Sequence, residues 1–268
     1  MSATAPGVYS VAAYNTAKSS ENKIHDDTVA RRFGFRGGLV PGVDVYAYMT
    51  HLPVERWGRA WLERGTAECR FMKPVYEGNT ATVAAELSDA GMTLQVTSQG
   101  ELCATGMAAL PGAASAPPTL GSFASATPPE NRPAADEVSL AVGKVFGTRP
   151  LAVTAEFAAE YFQNVRETDT RYVDEKLAHP GMILRVCNWT LSHNVVLGPW
   201  IHVGSVINNF AAARVGDEIS ARARVAANYE RKGHSFVELE VLVLADGKIP
   251  IARIIHTAIY RPRQVAAA

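Results

Sequence analysis

The sequence predicts an α+β protein made of two tandem halves, each a long central helix wrapped by an antiparallel β-sheet. Three observations carry that expectation. A layout of glycine, phenylalanine and alternating strand residues occurs twice, an apolar helix opening on Pro-Gly precedes each copy, and a stretch rich in Pro, Ala and Ser separates them.

The chain has 268 residues, 47% hydrophobic and 19% charged, the composition of a globular protein with a substantial core. Its 26 basic and 26 acidic side chains cancel, which excludes the electrostatic footprint of a nucleic-acid or anionic-membrane binder. The opening MSATAPGVYSVAAYN lacks the basic patch and apolar run of a signal peptide. No apolar run approaches the roughly 18 residues needed to span a bilayer. Cys69, Cys103 and Cys187 are widely spaced, without a C-x-x-C pair, and read as core filler in a reducing cytoplasm. No two histidines have zinc-motif spacing, and there is no Gly-rich phosphate loop, nucleophile elbow or dinucleotide fingerprint, so neither metal nor cofactor is expected.

In chain order, the first feature is SSENKIHDDTVARRFGFRGGLVPG at 19–42, a polar loop around His25 that closes on Pro41-Gly42. The apolar helix VDVYAYMTHL (43–52) follows. Next comes GTAECRFMKPVYEGNTATVAA (65–85), with Phe71 six residues after its first Gly and a half-buried strand pattern after Gly78. Strand-like runs TLQVTS (93–98) and ELCATGMAAL (101–110) complete this half. Residues 111–137 have neither strand nor helix period and read as an exposed connector. The expected boundaries are 1–115, a linker over 116–135, and 136–268.

In the second half RETDTRYVDEKLAHPG (166–181) leads through Pro180-Gly181 into a helix over 182–197, with Met182, Val186, Trp189 and His193 on one face. GSVINNFAAARVGDEISARA (204–223) repeats the earlier layout around Phe210 and Gly216. SFVELEVLVL (235–244) and IPIARIIHTAIY (249–260) are strands joined by an Asp246-Gly247 hairpin. Sheets of this kind need the helix to cover one face. Two copies would pair as a pseudo-dimer with a site at the seam.

The loop and the order of elements together resemble the MaoC-like, (R)-specific enoyl-CoA hydratases, a branch of the hot-dog fold. That family's loop runs Asp-x-Asn-Pro-x-His-x-Asp, then Ala, Gly-Phe, and a turn ending His-Gly. Here Asn22, His25, Asp27, Ala30, Gly34-Phe35 and Gly42 keep the register, while Ser20, Lys23 and Pro41 stand at the Asp, Pro and His places. In the second half Tyr172 lies near the catalytic His place.

The resemblance implies a double hot-dog fold and a hydro-lyase acting on an enoyl or 3-hydroxyacyl thioester such as an acyl-CoA. Thioester hydrolysis, or ligand binding without catalysis, are the alternatives. Hydration needs a base, an acid and a holder for the enolate-like oxygen. His25 is the candidate base, or else a brace for the next helix. With Ser20 at the Asp place, Glu21 or Asp26 would supply any carboxylate, though Asp26 and Asp27 also suit helix capping. Asn22 either braces the loop or touches water. Gly42, flanked by Val40 and Pro41, suits the thioester oxygen at a helix N-terminus. His179 and His202 are candidates for the far wall, or structural; His51, His193 and His256 read as structural. Tyr229, Arg231, Lys232 and His234 form either a rim for a phosphate-bearing ligand or a solvated hairpin end. The expected partner is a small acyl thioester, with a homodimer of pseudo-dimers as the expected assembly.

Overall fold

The computed structural model describes residues 7–263. Strand β1 (Gly7–Ala12) is followed by a 3-10 turn at Lys23–His25 and the short α1 (Asp27–Arg32). Then come α2 (Gly42–Trp57), α3 (Arg59–Arg64), and strands β2 (Thr66–Phe71), β3 (Thr80–Ser88), β4 (Gly91–Ser98) and β5 (Glu101–Ala109). The later residues form β6 (Val145–Gly147), β7 (Leu151–Ala152), α4 (Ala155–Val165), α5 (Arg171–Asp174) and α6 (Pro180–Ser192). Strands β8 (Ile201–Asn209), β9 (Glu218–Arg231), β10 (His234–Ala245) and β11 (Ile249–Arg261) end the fold.

All eleven strands join one antiparallel sheet in the order β1-β3-β4-β5-β2-β8-β11-β10-β9-β6, with β7 on β9. Strands β2 and β8 pair edge to edge, Cys69 opposite Ser205, and so join the two repeats. Each pairing thus removes an exposed edge from the other's sheet. Helices α2 and α6 pack against each other inside the curved sheet, and one continuous apolar core runs through both halves, from Val43 and Trp61 to Met182 and Leu239. This is the arrangement of two helix-and-sheet halves expected from the repeat, and the double hot-dog that the family resemblance implied. Among the described residues no helix is long and apolar enough to cross a membrane.

The Asp246-Gly247 hairpin forms as expected: both residues have positive φ, 50° and 68°, in a turn closed by the Lys248 N–H on the Ala245 carbonyl. Other boundaries differ from the sequence reading. Helix α2 runs to Trp57, carrying Pro53 within it. Helix α6 stops at Ser192 instead of 197, because Asn194 turns its amide back onto the Thr190 and Gly147 carbonyls. The connector is not simply exposed. Phe123 is buried against Leu242 and Leu244, and Arg222 donates to the Leu120 and Phe123 carbonyls. A single aromatic in a Pro- and Ala-rich stretch has no periodicity, so sequence pattern could not reveal this anchor.

Candidate active site

The loop after β1 is fixed from below. Ile24 is buried with Ala30 and Leu39, and Phe35 and Ile201 pack on them. Asp26 caps α1 by accepting from the Val29 N–H at 3.0 Å, and Asp27 accepts from the Gly38 N–H at 2.7 Å. Gly38 is required there, because a Cβ would fall 2.1 Å from the His25 carbonyl oxygen. Asp26 takes the capping alternative, whereas Asp27 instead anchors the turn at Gly38. The Asp26 side chain is committed to the helix start and lines an outer groove that His25 also borders.

His25 Nδ1 donates to the Leu39 carbonyl at 2.7 Å, which leaves Nε2 as the basic nitrogen. Burial lowers its pKa below 6.5, so the imidazole is neutral at pH 7. Asn22 braces: its Oδ1 accepts from the Trp200 N–H at 3.1 Å and the Ile24 N–H at 3.3 Å, while Nδ2 donates to the Trp200 carbonyl at 2.9 Å. The Asn22 amide thus clamps the loop onto the second half. Its Nδ2 also lies 3.4 Å from His25 Nε2.

His25 sits where two cavities meet. One is an apolar pocket of about 280 Å³ between the loop, the start of α2 and β8, lined by Val40, Pro41, Gly42, Phe71, Trp200 and His202 among others. The other is an open cleft of about 580 Å³ that reaches Ser20, Glu21, Arg132, Arg149, Arg185 and Trp189. Asn22, His25, Pro41, Asn188 and Trp200 line both. Ser20 uses its hydroxyl on the Asn22 carbonyl at 3.3 Å. Glu21 is exposed and paired with Arg132 at 3.0 Å on the rim of the cleft.

The first turn of α2 carries no side-chain cap, since Pro41 stands at the N-cap position. Its leading N–H groups therefore present the positive end of a sixteen-residue helix beside the apolar pocket. A methyl on Gly42 would come within 3.0 Å of His202 Nδ1 and 3.2 Å of the Phe71 ring. His202 and His256 are stacked at 4.2 Å and share the Ser205 hydroxyl at 2.9 and 3.0 Å. Burial pushes the His202 pKa down to about 3. His202 is thus a neutral wall residue.

The second half contains the same parts in a closed form. His179 is fully buried; its Nδ1 accepts from the Gly181 N–H at 3.1 Å and so caps α6. Its Nε2 donates to Glu167 at 3.2 Å, and Glu167 also accepts from His51 at 2.8 Å. Burial works to raise the Glu167 carboxyl, but the hydrogen bonds from His179 and His51 outweigh it and hold it well below the usual range. Beside Pro180, at the start of α6, the cavity lined by Tyr46 and Ile183 holds only about 20 Å³. His179 therefore does not form the far wall of the first pocket. Its fate depends on Glu167, twelve residues away, which spacing alone could not single out.

Sequence reasoning missed Asp44, Arg185 and Asn188. Asp44 is fully buried in the first turn of α2, accepting from Arg185 Nη2 at 3.0 Å and from the Thr16 hydroxyl at 2.5 Å. Its one signal was a lone acid in an apolar helix. Arg132 comes from the supposed linker; it bonds Glu21 and the Ser192 carbonyl, closing one side of the cleft. Of the hairpin group, His234 lines the apolar pocket. All three cysteines are buried and free, as core filler should be. Among the described residues no cluster of three or more His, Cys, Asp or Glu is placed to hold a metal ion.

No family model and no curated protein matches the sequence. Solved structures do. A protein described as a MaoC domain dehydratase from Chloroflexus aurantiacus superposes with a TM-score of 0.64 at 10% identity, covering 98% of this chain and 96% of that one. A Mycobacterium tuberculosis protein with a double hot-dog fold gives 0.65 at 14% identity over 96% of both chains. A protein described as an oleoyl thioesterase from Lactobacillus plantarum gives 0.51 at 11% identity, over 97% and 98%. The chain is therefore a double hot-dog protein, sharing its fold along nearly its whole length with MaoC-like dehydratases.

Proposed function

We propose that the protein is a hydro-lyase that adds water to, or removes it from, an acyl thioester, using the site of its first half. The observation that carries this reading is the pairing of an uncapped helix N-terminus with a neutral histidine at the mouth of an apolar pocket. The apolar pocket suits the acyl chain, and the cleft with Arg132, Arg149 and Arg185 suits a phosphate-bearing carrier such as coenzyme A.

In hydration, His25 Nε2 takes one proton from water as the water oxygen bonds to C3 of the enoyl group. The electron pair of the double bond moves toward the thioester oxygen, which the N–H groups opening α2 stabilise. The imidazolium then returns its proton to C2, restoring the thioester. Dehydration runs the same steps backwards. With Ser20 in place of a carboxylate, one histidine carries both transfers. Asp44 is bound to Arg185 and Thr16, so the free carboxylate beside the helix that thioester hydrolysis would require is lacking among the described site residues.

The test is to incubate the protein with crotonyl-CoA and follow both enoyl absorbance and free thiol. Loss of absorbance without thiol release supports the reading. Thiol release points to a thioesterase, and binding without either change points to a ligand-binding protein. His25→Ala should abolish the hydration rate, with circular dichroism checking that the fold survives the loss of the Leu39 hydrogen bond.

A further inference from the structure

Asn188 lies in the middle of α6, on the side facing the first half, and lines both the apolar pocket and the cleft alongside His25. Its Oδ1 is buried and has no hydrogen-bond partner. Folded proteins rarely leave a buried acceptor unpaired, and such a group calls for an occupant. The contrast with Asn22 is informative. Asn22 occupies the loop position suited to water, yet its amide is committed to Trp200 and Ile24. The uncommitted amide at the junction of the cavities comes from the opposite half.

We infer that Asn188 is the residue that positions the reacting oxygen, accepting a hydrogen bond from the water in hydration and from the 3-hydroxyl of a 3-hydroxyacyl thioester in dehydration. The inference rests on the hydro-lyase reading of the same site. Water has two protons. His25 Nε2 removes one as the C3–O bond forms, and the other is donated to Asn188 Oδ1, so the oxygen lone pair is aimed at C3. In the dehydrating direction the hydroxyl proton rests on Asn188 until the C3–O bond breaks, and His25 protonates the departing oxygen. The substrate class is thus a thioester with a hydroxyl on C3, and the saturated acyl thioester without that hydroxyl gains nothing from Asn188.

A merely structural asparagine and a positioning one respond oppositely to the near-isosteric Asn188→Leu. Removing an unpaired buried acceptor should leave the unliganded protein as stable as the wild type or raise its Tm. Affinity for 3-hydroxybutyryl-CoA, measured by calorimetry, should fall by about 10-fold or more, the loss of one hydrogen bond. Affinity for butyryl-CoA, which has no hydroxyl, should stay unchanged. In turnover of crotonyl-CoA, kcat should fall with little change in KM, and Asn188→Gln should recover less than half the loss because its amide is displaced.

Equal affinity of wild type and Asn188→Leu for 3-hydroxybutyryl-CoA overturns the inference, as does an equal loss for butyryl-CoA. A Tm lowered by more than about 5 °C assigns Asn188 to the fold and also overturns it, since removing an unpaired acceptor should not destabilise the unliganded protein. If the wild type binds neither acyl-CoA, the hydro-lyase reading fails and this inference goes with it. If it binds both and hydrates crotonyl-CoA while Asn188→Leu does so equally well, the inference alone fails.

Discussion

The two Pro-Gly helix starts offer a matched pair of substitutions. At Gly42 an added methyl meets His202 Nδ1 at 3.0 Å and the Phe71 ring at 3.2 Å. Phe71 is only partly buried and lines a pocket, so it can give way by a few tenths of an ångström. His202 is held by Ser205 and stacked on His256, so it cannot. Overpacking of this kind costs about 1–3 kcal/mol, and replacing Gly by Ala in a helix returns up to about 1 kcal/mol. Gly42→Ala should therefore be destabilised by about 1 kcal/mol, a fall of about 2–4 °C in Tm. At Gly181 the methyl would lie 2.1 Å from the Tyr161 hydroxyl and 2.9 Å from Ala47 Cβ, inside the core between α6 and α2. Tyr161 is buried, with His179 and Arg185 against its ring, so Gly181→Ala should cost about 3 kcal/mol or more. Function should invert that order. Gly42→Ala narrows the open pocket and should weaken 3-hydroxybutyryl-CoA binding by at least about 10-fold, whereas Gly181→Ala should bind normally at temperatures where it is folded. Differential scanning fluorimetry and calorimetry on the two variants settle the matter. A Gly42→Ala protein with wild-type affinity, or a Gly181→Ala protein that is the weaker binder, would refute the assignment of the site to the first half.

Other predictions follow from the same residues. Ser20→Asp places a carboxylate on the cleft near His25 and should raise hydration of crotonyl-CoA, within the about 10²–10⁴-fold that general acid–base groups contribute; no gain in an otherwise intact protein counts against the hydro-lyase reading. Asp44→Asn leaves the Arg185 guanidinium without its buried partner and should destabilise the protein by about 3–5 kcal/mol, read from urea denaturation. The pH dependence has a defined sign. His25, His202 and His256 all have pKa values lowered by burial, so the unfolded chain binds more protons than the native one below about 6.5. Their contribution is complete above that pH and is lost as pH falls toward the folded values, which for His202 is about 3. At pH 5 each fully buried histidine should cost up to about 2 kcal/mol, and the double variant with both His202 and His256 replaced by Gln should flatten the urea stability profile between pH 6.5 and 5. The acid limb of any hydration rate should lie below pH 6.5, because burial depresses His25; a limb at or above 7 would show that another base is at work.

The sequence by itself determined the fold class: period-two alternation in 235–244, Pro-Gly before each apolar helix and the repeated glycine layout are local patterns, and each maps onto a strand, a helix start or a turn. It also singled out His25 and Gly42 as candidates, because one loop segment carries them both within a family-like register. What it could not decide were choices between partners distant in the chain. Asp26 was free to be catalyst or cap until α1 was seen to start on it. The Asn22 amide could face water or protein, and Trp200, 178 residues on, claimed it. His179 turned inward because Glu167 and the Gly181 N–H each hold one of its ring nitrogens, and it does not line the pocket beside Gly42. Asn188 and Arg132 entered the site from an apolar helix and a connector with no motif to mark them. Local propensity and burial are written along the chain, but which polar group is left without a partner emerges only when every competitor has been packed.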